Sequence, residues 1–189
     1  MPMPLRSELC PVEKEVLKNT VSTIVEWLSP HGLNINVRIE DDADDPSKIG
    51  EYERGTVFGK TIEVTVCPQA IRDYIKNDVT AWEMKYDLQQ AGWPSRQGLR
   101  KRYSAFQFAM TVYHELGHAL LEQVIDWMEN IPEFDEFFGE DFIKRYDAVL
   151  EDSLPEEDLV EDFAWSCVQG RVHVLKSCFV EMSEKLSKI

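Results

Sequence analysis

From about Tyr103 to Asn130 apolar residues return at three- and four-residue intervals: Phe106, Ala109, Met110, Tyr113, Leu116, Ala119, Leu120 and Val124. That periodicity predicts one long amphipathic helix, and a helix of this length obliges the rest of the chain to pack along its apolar stripe. Within it stands His114-Glu115-Leu116-Gly117-His118. Residues four apart project from nearly the same helix face, so both imidazoles can reach one metal ion. Glu115 is turned about 100° from His114 and points beside such an ion rather than at it, which suits a general base acting on a metal-activated water. Gly117 costs about 1 kcal/mol of helix stability relative to alanine, so its presence predicts a close approach by another backbone, with the sheet as the expected neighbour. The plain alternative is a surface helix whose two histidines share a face by coincidence.

The remaining chain supplies a small sheet before this helix and a second helix after it. Residues 11–29 carry Val12, Val16, Leu17, Val21, Ile24, Val25 and Leu28 at helical spacing, and Ser29-Pro30-His31-Gly32 ends the run. Ile35, Val37 and Ile39 alternate with polar residues over 34–40, the pattern of a half-buried strand. Glu40 to Asp45 reads as a solvated acidic loop, because no calcium-loop spacing follows. Two extended runs between Tyr52 and Cys67 flank Gly59-Lys60, a pair suited to a tight hairpin turn. Ala70 to Tyr74 suggests a short helix, whereas the segment with Trp82, Trp93 and Pro94 has no clear assignment. Residues 131–141 read as an aromatic loop leading into a helix, and a final long helix is expected from near Pro155 toward the C-terminus. The expectation is a single α+β domain over 1–189. It has a small antiparallel or mixed sheet with an N-terminal helix, then the HELGH helix, then a second helix bearing metal ligands.

Composition narrows the partners. The net charge is -15 and the pI about 4.6, so phosphate-rich surfaces repel this chain, and neither nucleic acid nor an anionic membrane is an expected partner. Arg96, Arg100, Lys101 and Arg102 form a local exception, read as a solvated helix start or loop rather than an anion site. No apolar run approaches the ~18 residues of a membrane span. The first ten residues show no export signal, and Cys10, Cys67, Cys167 and Cys178 form no C-x-x-C pair. The four cysteines are therefore expected to be reduced thiols of a cytoplasmic protein.

A catalytic zinc needs a third protein ligand. Leu121 and Val124 stand where a metzincin would carry glycine and histidine, so the ligand must come from elsewhere. The stretch Glu156-Glu157-Asp158-Leu159-Val160-Glu161-Asp162-Phe163-Ala164 places Glu157, Val160, Glu161 and Ala164 on one helical face. Carboxylates on a face otherwise apolar or small need a partner, and a metal with its histidines would be one. An acidic first turn favoured by the helix dipole is the simpler alternative.

The two motifs together resemble the gluzincin zinc metallopeptidases, and the compact length is similar to the small, minimal members of that group. The resemblance covers roughly residues 103–168. It implies a zincin-like fold, one zinc ion per chain, His114, His118 and Glu157 as ligands, and Glu161 as the carboxylate that orients a histidine. Glutamate stands at 161 where the family carries aspartate, which leaves the reverse assignment open, with Glu161 as the ligand. The resemblance also implies that an edge strand before the metal helix binds extended peptide, and Thr61 to Cys67 is the best match. On a continuous final helix Arg171 faces the site side and is a weak candidate to stabilise the transition state. His173 faces away unless the helix breaks at Gly170. The implied activity is zinc-dependent hydrolysis of a peptide bond, with Glu115 as general base and a peptide or protein as substrate. The alternative is a non-catalytic module that keeps the zincin fold and its zinc but binds peptide without cutting it.

Overall fold

The computed structural model describes residues 8–53, 61–94, 98–151 and 153–189. Pro11 opens helix α1 (Pro11–Leu28) at the position where a missing N–H costs nothing. A 3-10 turn, Ser29–His31, and Gly32 at φ 73° reverse the chain into strand β1 (Asn34–Ile39). Strands β2 (Gly50–Tyr52) and β3 (Thr61–Val66) complete one sheet. Helices α2 (Pro68–Asn77), α3 (Ala81–Gln90) and α4 (Leu99–Asn130) follow. The short α5 (Phe134–Phe138) leads into α6 (Glu140–Leu150), and α7 (Glu156–Val168) and α8 (Val174–Leu186) come last. The chain is therefore α+β and mostly helical, with a small mixed sheet. None of the described helices is long and apolar enough to cross a membrane.

The sheet order is β1-β3-β2, with β3 parallel to β1 and antiparallel to β2. Ile62, Val64 and Val66 are fully buried on one face of β3, as the alternation predicts. The Gly59-Lys60 turn lies outside the described residues. The sheet order corrects one expectation. β3 lies between β1 and β2, the latter paired with Val64 to Val66, so the strand expected at the edge is central in the sheet. The outer strand on the α4 side is β2, which touches α4 directly.

Helix α4 is the central element: α1, α2, α3, α6, α7, α8, β2 and β3 all pack on it. Phe106, Phe108, Leu116, Leu120 and Val124 are completely buried along it. The N-terminal helix is also tied to α4 by a polar contact. Glu13, 3% exposed, accepts hydrogen bonds from Ser104 Oγ at 2.6 Å, Arg72 Nη2 at 2.9 Å and the Cys10 N–H at 2.8 Å. Burial alone would raise its pKa, but these three donors outweigh it and hold the carboxyl below its ordinary value.

The C-terminal third differs from expectation at Gly170. Its φ of 68° lies in the left-handed region and ends the helix, so one predicted helix is two, α7 and α8. The Ser166 carbonyl accepts from the Arg171 N–H at 2.8 Å, and Ser166 Oγ donates back to the Arg171 carbonyl at 2.9 Å, which closes the turn.

Candidate metal centre

Two helices build the site. α4 presents His114 and His118 from adjacent turns, and the first two turns of α7 cross it at that level. Gly117 makes this approach possible. A Cβ at position 117 would stand 3.0 Å from both Val160 Cβ and Phe163 Cδ1, tighter than nearly all real contacts. The close neighbour that the glycine implies is thus α7 and not the sheet.

The side chains meet in an ordered way. Nε2 of His114 and Nε2 of His118 are 3.1 Å apart. The Glu157 carboxylate reaches both, with Oε2 at 3.3 Å from His114 Nε2 and Oε1 at 3.6 Å from His118 Nε2. One ligand atom from each of the three residues lies within 4.8 Å of the others. Two imidazoles and a carboxylate this close could hold one metal ion. Glu161 lies one turn further along α7, on the other side of the ring: its Oε2 is 3.2 Å from His114 Nδ1. Glu156 plays the same part for the second histidine, with Oε1 2.7 Å from His118 Nδ1. Each imidazole therefore has a carboxylate behind it, the arrangement that sets tautomer and ring orientation at metal sites. The hydrogen bond to the Glu161 carboxylate raises the His114 pKa, against the opposing effect of burial.

Glu115 points to the β2 side. It is 9% exposed, and burial raises its pKa; the neighbouring His114 and His118, and a hydrogen bond from the Tyr52 N–H, offset only part of that rise. Gly50 is what lets the strand come so near. A Cβ there would clash with Thr111 Cγ2 and stand 2.9 Å from Glu115 Oε1. Two cavities flank the group. One, of about 430 Å³, lies on the His118 side, lined by Tyr52, Leu121, Glu122, Ile125 and Glu156 among others. The other, of about 300 Å³, lies on the His114 side, lined by Ile49, Tyr74, Phe106, Met110 and Trp165 among others. Glu115 lines both.

The remaining sequence candidates lie elsewhere. Arg171 is exposed in the turn after α7, at the far end of that helix from Glu157, and lines neither cavity. His173 caps α8, its Nδ1 accepting from the Leu175 N–H at 3.1 Å, with its ring edge-on to Phe163. The helix does break at Gly170, yet the break places His173 at a helix start and not at the metal group. His31 contacts Ser183 Oγ at 3.1 Å and packs on Phe179. Of the basic cluster, Arg100 and Lys101 stand in the first turn of α4, and Arg96 lies outside the described residues. Sequence reasoning did not single out Glu156, Gly50, Tyr52 or Glu122. For Glu156 the signal was the doublet Glu156-Glu157 at a helix start; Gly50 and Tyr52 carried none.

Compared with protein-family models, with curated proteins and with solved structures, the chain shows no match.

Proposed function

We propose that the protein is a zinc-dependent metallopeptidase of the gluzincin kind, with a zincin-like arrangement of sheet, HELGH helix and second ligand helix. The observation that carries this reading is the convergence of His114 Nε2, His118 Nε2 and the Glu157 carboxylate, with a separate carboxylate behind each imidazole. Two imidazoles and a carboxylate are a donor set suited to zinc, and three protein ligands leave a fourth position for water or substrate. Zinc bound there would polarise the substrate carbonyl and acidify the attacking water.

The chain's own residues supply the rest. Glu157 is the ligand, because it faces both Nε2 atoms, whereas Glu161 faces only the back of His114. Glu161 and Glu156 hold the rings so that their Nε2 lone pairs converge. Glu115 has the position and the raised pKa of a general base. It takes a proton from the attacking water and hands it to the leaving amine nitrogen as the C–N bond breaks. The Tyr52 N–H keeps that carboxylate aimed from the strand side. Burial raises the basicity of that carboxylate above that of an ordinary glutamate.

The test is metal content and turnover together. Protein purified without added metal should carry zinc at about one per chain, as expected for a single three-ligand site, and should cleave unstructured peptides in mixture. Folded His114→Ala, His118→Ala protein that keeps its zinc would overturn the site. Zinc-loaded protein that binds peptide and never cuts it would favour the peptide-binding alternative.

A further inference from the structure

The cavity on the His118 side carries Glu122 on its wall. Two carboxylates beside it are engaged: Glu51 pairs with Lys48 at 2.8 Å, and Glu156 meets His118 at 2.7 Å. Glu122 has the Tyr52 hydroxyl, which donates to its Oε2 at 2.7 Å. In the opposite cavity the Tyr103 hydroxyl holds Asp87 in the same way at 2.7 Å, but Asp87 stands on α3 and not on a helix that bears the candidate ligands. A phenol fixes a carboxylate in place but does not neutralise it. Glu122 also stands one helical turn beyond His118 on α4, so it lies in the cleft directly beside the candidate metal. Leu121 and Ile125 lie with it along the cavity wall. That combination is an anchored anion with an aliphatic approach, which matches a long basic side chain: the stem lies on the apolar wall and the head meets the charge.

We propose, resting on the metallopeptidase reading, that Glu122 selects a lysine or arginine side chain of the substrate on the His118 side of the bond to be cut. Oε2 is held by Tyr52, and Oε1 is left to accept from the substrate. The His114-side cavity offers Ile49, Phe106, Met110 and Trp165 to a large apolar side chain. The -15 net charge helps to draw cationic segments toward the cleft.

The zinc-loaded protein is incubated with a complex peptide mixture, and the residues flanking each cut are read by mass spectrometry. Lysine and arginine should be enriched at one fixed position on one side of the cut. Glu122→Gln, nearly isosteric and still able to accept from Tyr52, should lower kcat/KM for such a peptide about tenfold, mostly through KM. A matched peptide with a neutral residue at that position should change little. Glu122→Lys should transfer the preference to aspartate and glutamate. A wild type without basic enrichment, or an enrichment that survives Glu122→Lys, overturns the proposal. Binding provides the second arm, independent of turnover. A labelled lysine-bearing peptide should bind the zinc-loaded wild type about tenfold more tightly than its glutamate counterpart, and Glu122→Gln should erase the difference. Equal affinities overturn the selection. Selective binding without hydrolysis supports it and overturns only the hydrolytic reading.

Discussion

Glu156, the first residue of α7, stands 2.7 Å from the Nδ1 of His118. In the proposed site this contact gives three neighbouring glutamates two kinds of task, which substitution separates. Glu157→Ala should weaken zinc binding most, because it removes a ligand. Glu156→Ala and Glu161→Ala should each weaken it by about 10–100-fold, the usual effect of losing the group behind a ligating histidine. Competition with a chromophoric chelator gives the three affinities. A Glu161→Ala protein stripped of zinc beside a Glu157→Ala protein that keeps it would move the ligand one turn along α7.

Glu115→Gln should keep the zinc and lose hydrolysis, by about 10²–10⁴-fold, since glutamine cannot accept the proton. The same variant makes a stability prediction. Burial raises the folded pKa of Glu115, so its ionised form destabilises the fold above that pKa, and the effect disappears below the ordinary glutamate value. Metal-free Glu115→Gln should therefore melt above metal-free wild type at neutral pH, with the gap closing on acidification. A gap that widens toward acid would contradict this account.

Gly117→Ala sets two effects against each other. Alanine gains about 1 kcal/mol of helix propensity, yet its methyl would stand 3.0 Å from Val160 Cβ, an atom fixed close to the α7 backbone. Because α7 carries all three glutamates of the centre, even a small displacement should reach the metal. The expected outcome is weaker zinc binding without any rise in the melting temperature. A more stable protein with unchanged affinity would show that α4 and α7 need no glycine between them.

Glu13→Gln tests the tie between α1, α2 and α4. It leaves Arg72 without its carboxylate and should cost about 3 kcal/mol at neutral pH, measurable by urea unfolding. The folded pKa of Glu13 is lowered, so its stabilisation is present above the ordinary glutamate value and is lost as pH falls through the folded one. The difference between wild type and variant should shrink in acid.

Elements with strong local periodicity were legible in the sequence. α1 ends within a residue of the predicted bound, β1 likewise, and α4 starts four residues earlier than its apolar stripe suggests. α3 escaped because Trp82 and Tyr86, stacked on each other at 5.2 Å, are exposed and spoil the amphipathic pattern. α7 and α8 merged because apolar spacing continues past Gly170, and a positive φ leaves no trace in periodicity. The sheet order was not legible either. Pairing is non-local, and β2 is three residues long, too short to show alternation. His114 and His118 were readable because one helix carries both. The group behind each ring, and Gly50 beside Glu115, arise only when separate segments meet.

The 3.1 Å between the two Nε2 atoms has a calorimetric consequence. A hydrogen bond between two ring nitrogens needs a proton on one of them, whereas ligation needs both lone pairs free. The Glu161 carboxylate also raises the His114 pKa, which favours protonation of that ring. In the proposed site the ion therefore competes with protons for the same nitrogens, and loading should release more of them as pH falls. Titrations in buffers of different ionisation enthalpy should give apparent heats that fall on a line, with a slope that steepens toward acid.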